Sequence, residues 1–286
     1  MQKSLAGWGS GLVGVVIFSG SLPATRIAIG GFSPMFLTSA RAVIAALVGS
    51  LLLFALRETR PERRDLPALV LVAAGVVVGF PLLTAMALQH ISAARSVMFI
   101  GILPLFTALF GVLRCGERPR PAFWLFSGCG SLVIVAYALA HGGEGSLVGD
   151  PMMFAAVALC GLGYAEGAAL SRRLGGWQVI SWSLVLSLPI MAALSFATLP
   201  ASAAGITAPE WAALGYVSLF SMLLGFVFWY RGLAIGGIAG VGQLQLLQPF
   251  FGLLLAAVLI GDAVTPAMLA ITLVVVGCVW GAKRYS

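Results

Sequence analysis

The sequence predicts an all-α polytopic membrane protein whose ten transmembrane helices form a 5+5 inverted-topology repeat. Three observations carry this. Apolar runs of about 20 residues succeed one another along the whole chain, each long enough to cross a ~30 Å hydrocarbon core at about 1.5 Å per residue. Landmarks of the first half recur in the second at one fixed displacement, and basic residues fall in alternate connections between the runs. With 60% hydrophobic and 9% charged residues and a mean hydropathy of +1.07, the 286-residue chain lies far below the roughly 25% charge of a soluble domain. Its apolar runs are continuous rather than alternating, which argues against a β-barrel.

The spans follow from punctuation by proline, glycine and charge. The first, 8–29, lies between Lys3 and Gly30-Gly31 and contains Pro23. The run after Lys3 could pass for a signal peptide, but the succession of later runs favours a retained span. The second, 34–56, opens at Pro34, holds Arg41 and stops at Arg57. The third, 66–88, contains Gly75, Gly79 and Pro81, and its Gly-x-x-x-Gly spacing suits close helix packing. The fourth, 91–113, contains Pro104, and the fifth, 121–140, opens at Pro121. The sixth, 151–170, carries Tyr164 and Glu166 and ends before Arg172-Arg173. The seventh, 179–199, follows Gly175-Gly176 and carries Trp182, and the eighth, 209–230, ends at Arg231. The ninth, 239–260, carries Gln243, Gln245, Gln248 and Pro249, and the tenth, 266–282, ends at Lys283-Arg284.

The net charge of +7 does not indicate nucleic acid, because the basic residues are distributed as the positive-inside rule requires. One set of connections holds Arg57, Arg60, Arg63 and Arg64, then Arg114, Arg118 and Arg120, then Arg172 and Arg173, then Arg231, with Lys3, Lys283 and Arg284 at the termini. The other set has no Lys or Arg in 141–150 or 200–208, and only Arg26 and Arg95 near its edges. The basic side, with both termini, is therefore assigned to the cytoplasm.

Pro104, Gly116 and Pro121 recur as Pro249, Gly261 and Pro266, since 249 − 104, 261 − 116 and 266 − 121 are all 145, and Gly30-Gly31 recurs as Gly175-Gly176. The division falls at 1–145 and 146–286. Five spans is an odd number, so the second copy enters the membrane from the opposite side, and the copies are related by an axis in the membrane plane. Gly116-Glu117 then lies on the basic side and Gly261-Asp262 on the other.

Pro104 and Pro249 each remove a backbone donor in mid-span. Irregular backbone at membrane depth is tolerated only against protein or a water-lined cavity, so they are read as hinges bordering a cavity, the alternative being packing kinks. Pro23 and Pro81 have no proline at the matching position. Gln245 and Gln248 share a helix face where the first copy has Ile100 and Leu103; they are read as contacts to the polar end of a substrate or as interhelical hydrogen bonds. Gln243 opposes Met98 and is a weaker candidate. Arg41 lies about 10 Å into its span, where a charge costs roughly 2.5–3.5 kcal/mol. It must pair or face water, as a clamp on a substrate carboxylate or on freed backbone carbonyls. Glu166 is the proton-coupling candidate, or it snorkels toward Arg172 and Arg173; a direct pair with Arg41 is not expected, because the two lie in opposite halves of the membrane. Trp182, Trp229, Tyr164, Phe99, Phe228 and Tyr230 could stack on an aromatic or apolar ligand or sit at the membrane interface; Tyr164 and Trp182 are the first to test, and His90 reads as interfacial. Cys115, Cys129, Cys160 and Cys278 have no metal-ligand or paired spacing, so free thiols, no metal and no cofactor are expected.

The run Leu88-Gln89-His90-Ile91-Ser92-Ala93-Ala94, then Pro104-Leu105-Phe106, then Gly116-Glu117, resembles the first repeat of EamA-type proteins of the drug/metabolite transporter superfamily. The run Trp229-Tyr230-Arg231-Gly232-Leu233, then Gln248-Pro249-Phe250, then Gly261-Asp262, resembles their second, and Pro34 followed by Arg41 resembles the opening of their second helix. Asp262 departs from the family's more usual Glu, and the aromatic-rich segment 225–230 is not generic. The resemblance covers essentially the whole chain. It implies a ten-helix inverted repeat with an export role, and within the family the bacterial exporters of aromatic and other neutral amino acids match best.

The expectation is thus a secondary transporter, not an enzyme, that exports small zwitterionic metabolites, foremost amino acids, by alternating access. Its partners are the substrate and membrane lipid, with no nucleic acid, and a monomer is favoured. Another metabolite or a drug-like cation is the alternative cargo. A membrane-embedded enzyme is disfavoured by two histidines, few acids and no His-Glu-x-x-His or Gly-x-Ser-x-Gly motif. The lack of a Walker motif excludes a self-contained ATP-driven pump, and a passive pore would not predict saturable transport.

Overall fold

A computed structural model describes residues 2–91, 93–141, 145–202, 204–260 and 266–286. Among these the chain is helical from end to end. Helix α1 (Gln2–Ser19) breaks at Gly20 into α2 (Ser21–Ala28), and α3 (Pro34–Ala55) follows. Helix α4 (Leu66–Val72) passes through a π-helical segment, Ala73–Gly79, into α5 (Phe80–Ala87). Next come α6 (Ala93–Cys115), α7 (Pro121–His141), α8 (Gly149–Leu174) and α9 (Gly176–Ala197). Helix α10 (Ala208–Gly215) passes through a second π-helical segment, Tyr216–Leu224, into α11 (Gly225–Gly236). Helix α12 (Ile238–Gly242) turns through a 3₁₀ segment, Gln243–Leu247, into α13 (Gln248–Ile260), and α14 (Pro266–Tyr285) closes the chain. Eight stretches among the described residues are long and apolar enough to cross a membrane; with the α12–α13 and α14 stretches the rods number ten, close to the expected spans.

The rods pack in pairs that echo the displacement seen in the sequence. Helix α1 lies against α11, and the α4–α5 rod lies against α8. Adding 145 to the α4–α5 rod gives the α10–α11 rod, and adding it to α1 gives α8. The crossings are close because glycines leave room: a Cβ on Gly7 would meet the Gly236 backbone at 2.5 Å, and one on Gly75 the Leu159 carbonyl oxygen at 2.5 Å. The α3–α9 and α7–α14 pairs each join a rod to its own counterpart. The two π segments also correspond, since 73 + 145 is 218 and 79 + 145 is 224. Only the first is followed by a proline, Pro81, so proline alone does not account for the π turn.

Local caps set the helix starts. The Ser33 side chain accepts from the Phe36 amide at 3.2 Å to open α3, and Thr207 and Glu210 form a capping box that opens α10. Glu117 accepts the amides of Ile238 and Ala239, both at 2.7 Å, and so caps α12. That gives the Gly116-Glu117 motif a structural task; its counterpart Gly261-Asp262 lies outside the described residues.

The basic connections gather at one end of the bundle. There Glu117 meets Arg172 at 3.4 Å, Asp65 meets Arg173, Glu58 accepts from Gln178, and Lys283 sits 4.7 Å from the Trp8 ring centroid. At the opposite end Arg95 grips Asp150 at 2.6 and 2.8 Å, and Glu210 covers Gly30 and Gly31.

Candidate functional site

Five departures from regular α-helix cluster around one place. The break at Gly20, both π segments, Pro104 and the 3₁₀ turn before Pro249 surround a cavity of about 120 Å³. Phe18 and Ser21 flank the α1–α2 break, Val76 comes from the first π segment with Phe80 beyond it, and Ser221 and Met222 come from the second with Phe226 beyond it. Ile100 and Leu103 enter from α6, Gln245 and Gln248 from the ninth rod, Arg41 from α3, and Cys160 and Tyr164 from α8. Helices in lipid tolerate such breaks where they border a cavity, and π turns recur at functional positions for the same reason.

The two prolines act on the cavity in different ways. A proline takes the donor from the carbonyl four residues earlier, which is Ile100 for Pro104 and Gln245 for Pro249; both residues line the cavity. Helix α6 runs through Pro104 unbroken. The ninth rod tightens instead into a 3₁₀ turn, where the Gln248 amide donates to the Gln245 carbonyl.

Of the residues singled out from sequence, Arg41, Tyr164, Gln245 and Gln248 come together on this lining, although they stand on three different rods. Arg41 is the sole charged residue among those lining the cavity, and its Nε has no hydrogen-bond partner among the described residues. Among the described residues no carboxylate is paired with it, and Glu166 pairs with Arg114. The amide of Gln245 donates to the Tyr164 hydroxyl at 3.1 Å, while its Oε1 is buried without a partner among the described residues. Gln243 is fully buried outside the lining and donates to the carbonyls of Ala239 at 3.3 Å and Pro104 at 3.5 Å, a bond between rods.

Two placements differ from expectation. Trp182 lies on α9, half-buried at the edge of the core and outside the cavity wall. Its neighbours Ser181 and Ser183 are buried, and Ser181 packs on Gly49 of α3. The rings that meet Tyr164 are instead Trp229, 5.5 Å away, and Phe226, 6.1 Å away. Glu166 does not take Arg172 or Arg173, which are held by Glu117 and Asp65. It is buried, away from the cavity, beside a second cleft with Arg64, Asp65 and Arg173.

Sequence reasoning passed over Ser21, Val76, Phe80, Cys160, Ser221 and Met222. The displacement of 145 held a signal for some of them, because Val76 and Ser221 are counterparts that both line the cavity. Beyond Phe226 along α11, Trp229 and Tyr230 are fully buried. Helices α6 and α8 run parallel and are clamped at both ends, by Arg95–Asp150 and by Arg114–Glu166. Among the described residues no group of three or more His, Cys, Asp or Glu is placed to hold a metal.

The model of the EamA-like transporter family matches this chain twice, over residues 5–139 and 147–281. The chain is 59% identical over 286 residues, the full length of both proteins, to the "Uncharacterized transporter YdeK" of Bacillus subtilis (strain 168). It is 26% identical over 275 residues, 94% of this chain and 90% of the other, to the "Probable terminal-alkyne amino-acid exporter" of Streptantibioticus cattleyicolor. A solved crystal structure, 22% identical, superposes with a TM-score of 0.78 over 98% of this chain and 96% of that one; at that identity the likeness speaks to the fold.

Proposed function

The chain belongs to the EamA-like transporter family, and from that premise we propose that it exports small zwitterionic metabolites, foremost amino acids, across the bacterial plasma membrane. That it is a polytopic membrane transporter and not an enzyme follows from the family. The observation that carries the choice of cargo is the pairing, in one cavity, of an unpartnered cationic donor, Arg41 Nε, with an unpartnered neutral acceptor, Gln245 Oε1. A buried polar group without a partner costs roughly 1–3 kcal/mol. A ligand bearing a carboxylate and an N–H donor relieves both. A cation alone gains nothing from Arg41. The relative named as a probable terminal-alkyne amino-acid exporter supports the same class.

In this reading residues 1–145 and 146–286 are two five-helix repeats of opposite topology, both termini are cytoplasmic, and the cavity sits near the midplane. Transport proceeds by alternating access. The α6–α8 pair moves as one clamped unit, with Glu166 holding Arg114 at the basic end. Counterflow into liposomes holding the purified protein, screened across labelled amino acids, purines and cations, tests the cargo. Saturable exchange of neutral amino acids is expected; exchange of cations alone, or non-saturable flux, would overturn it. Reporter fusions after Gly143 and at the C-terminus should give opposite sidedness, and the same sidedness would sink the topology.

A further inference from the structure

The lining mixes polar and apolar residues, and the displacement of 145 sorts six of them. Three counterpart pairs line it: Val76 with Ser221, Ile100 with Gln245, and Leu103 with Gln248. In each pair the first-half residue is aliphatic and the second-half residue is polar. Two hydrogen bonds join polar residues of the lining, Ser21 with Ser221 at 2.7 Å and Gln245 with Tyr164 at 3.1 Å. Helix α3, which brings in Arg41, packs on the π segment that carries Ser221. Phe80, just beyond the π segment of Val76, also lines the cavity.

Resting on the amino-acid reading above, we propose that the cavity orients its substrate, with the carboxylate and amino group on the wall of Arg41, Gln245 and Gln248 and the side chain on the wall of Val76, Ile100 and Leu103. The class selected is the neutral amino acid with an apolar side chain. An amide or charged side chain would bury its polar atoms against aliphatic groups with nothing to bond, and such a mismatch separates good from poor ligands strongly. Ile100 and Leu103 are then specificity-determining residues, although no polar chemistry marks them.

The test is the ratio of L-leucine to L-glutamine counterflow in proteoliposomes. The wild type should favour leucine at least tenfold. Ile100→Gln and Leu103→Gln should each lower that ratio severalfold, by weakening leucine and admitting glutamine. Gln248→Leu, on the other wall, should depress both substrates and leave the ratio within about twofold. If a glutamine variant does not elute as a folded protein, Ile100→Val and Leu103→Val enlarge the aliphatic wall instead, and should raise L-phenylalanine relative to L-leucine. A wild type that exchanges no amino acid overturns the cargo reading and this inference with it. A wild type that exchanges amino acids, with ratios unmoved by every folded aliphatic-wall variant, overturns the orientation alone.

Discussion

The fourth and ninth rods begin from the same landmark and end with different backbones. Helix α6 carries Pro104 through an unbroken helix of 23 residues, whereas its counterpart is split into α12, a 3₁₀ turn and α13, with Pro249 in the first turn of α13. The residues around the proline explain the difference. Gly240 and Gly242 weaken the ninth helix just before the break. The Gln243 side chain donates to the Ala239 carbonyl, four residues back, in competition with a backbone amide. In α6 the position of Gln243 is Met98, which offers no such bond. A shared proline marks where a helix may bend; its neighbours decide whether it does, and here they also decide which rod presents polar groups.

The most direct way to break the comparison is to make the ninth rod resemble the fourth. Gln245→Leu with Gln248→Leu removes both amides and keeps residues that suit lipid. We expect transport to fall about 100-fold, the loss of two hydrogen-bonding groups at roughly 1–1.5 kcal/mol each, with elution unchanged. Wild-type rates would make this polar face structural.

A smaller effect is expected in accessibility. In a background without Cys115, Cys129, Cys160 and Cys278, single cysteines at Ile100 and Gln245 should react with impermeant thiol reagents from one face at a time. Substrate should change that pattern, because a ligand that prefers one state shifts the population toward it. Equal labelling from both faces, indifferent to every substrate, would indicate a static pore.

Stability should separate the two prolines. Pro104→Ala restores a donor inside a continuous helix, where proline costs about 3 kcal/mol, and should raise the melting temperature in detergent by several degrees. Pro249→Ala lies in a first turn, where proline is tolerated, and should shift it little. Equal shifts would remove the distinction between the rods.

The smallest effect concerns the start of α12. Glu117→Gln weakens the charged cap on the amides of Ile238 and Ala239, and should cost about 1 kcal/mol of stability, read as a modest drop in melting temperature. No change would mean that the short helix holds itself.

Much of the fold is legible along the chain because its causes are local. A run of about 20 apolar residues is a span wherever it lies, alternate basic connections sort the ends of the bundle, and the displacement of 145 is echoed in the pairing of the rods. The π segments had no such mark: Pro81 drew attention to the first, but the second arises without a proline.

By itself the sequence determined the helical class, the spans, the family and the residues whose polarity is out of place in lipid. Only the tertiary structure decided that Arg41, Tyr164, Gln245 and Gln248 line one cavity while Trp182 does not, that Glu166 belongs to Arg114, and that Gln243 ties the ninth rod to Pro104. The physical reason is that hydrophobic length and charge are properties of a segment, whereas which face of a helix meets which neighbour depends on rotation and crossing. Those are set by contacts between residues far apart in the chain, as where the glycines of α1 and α11 let two backbones touch.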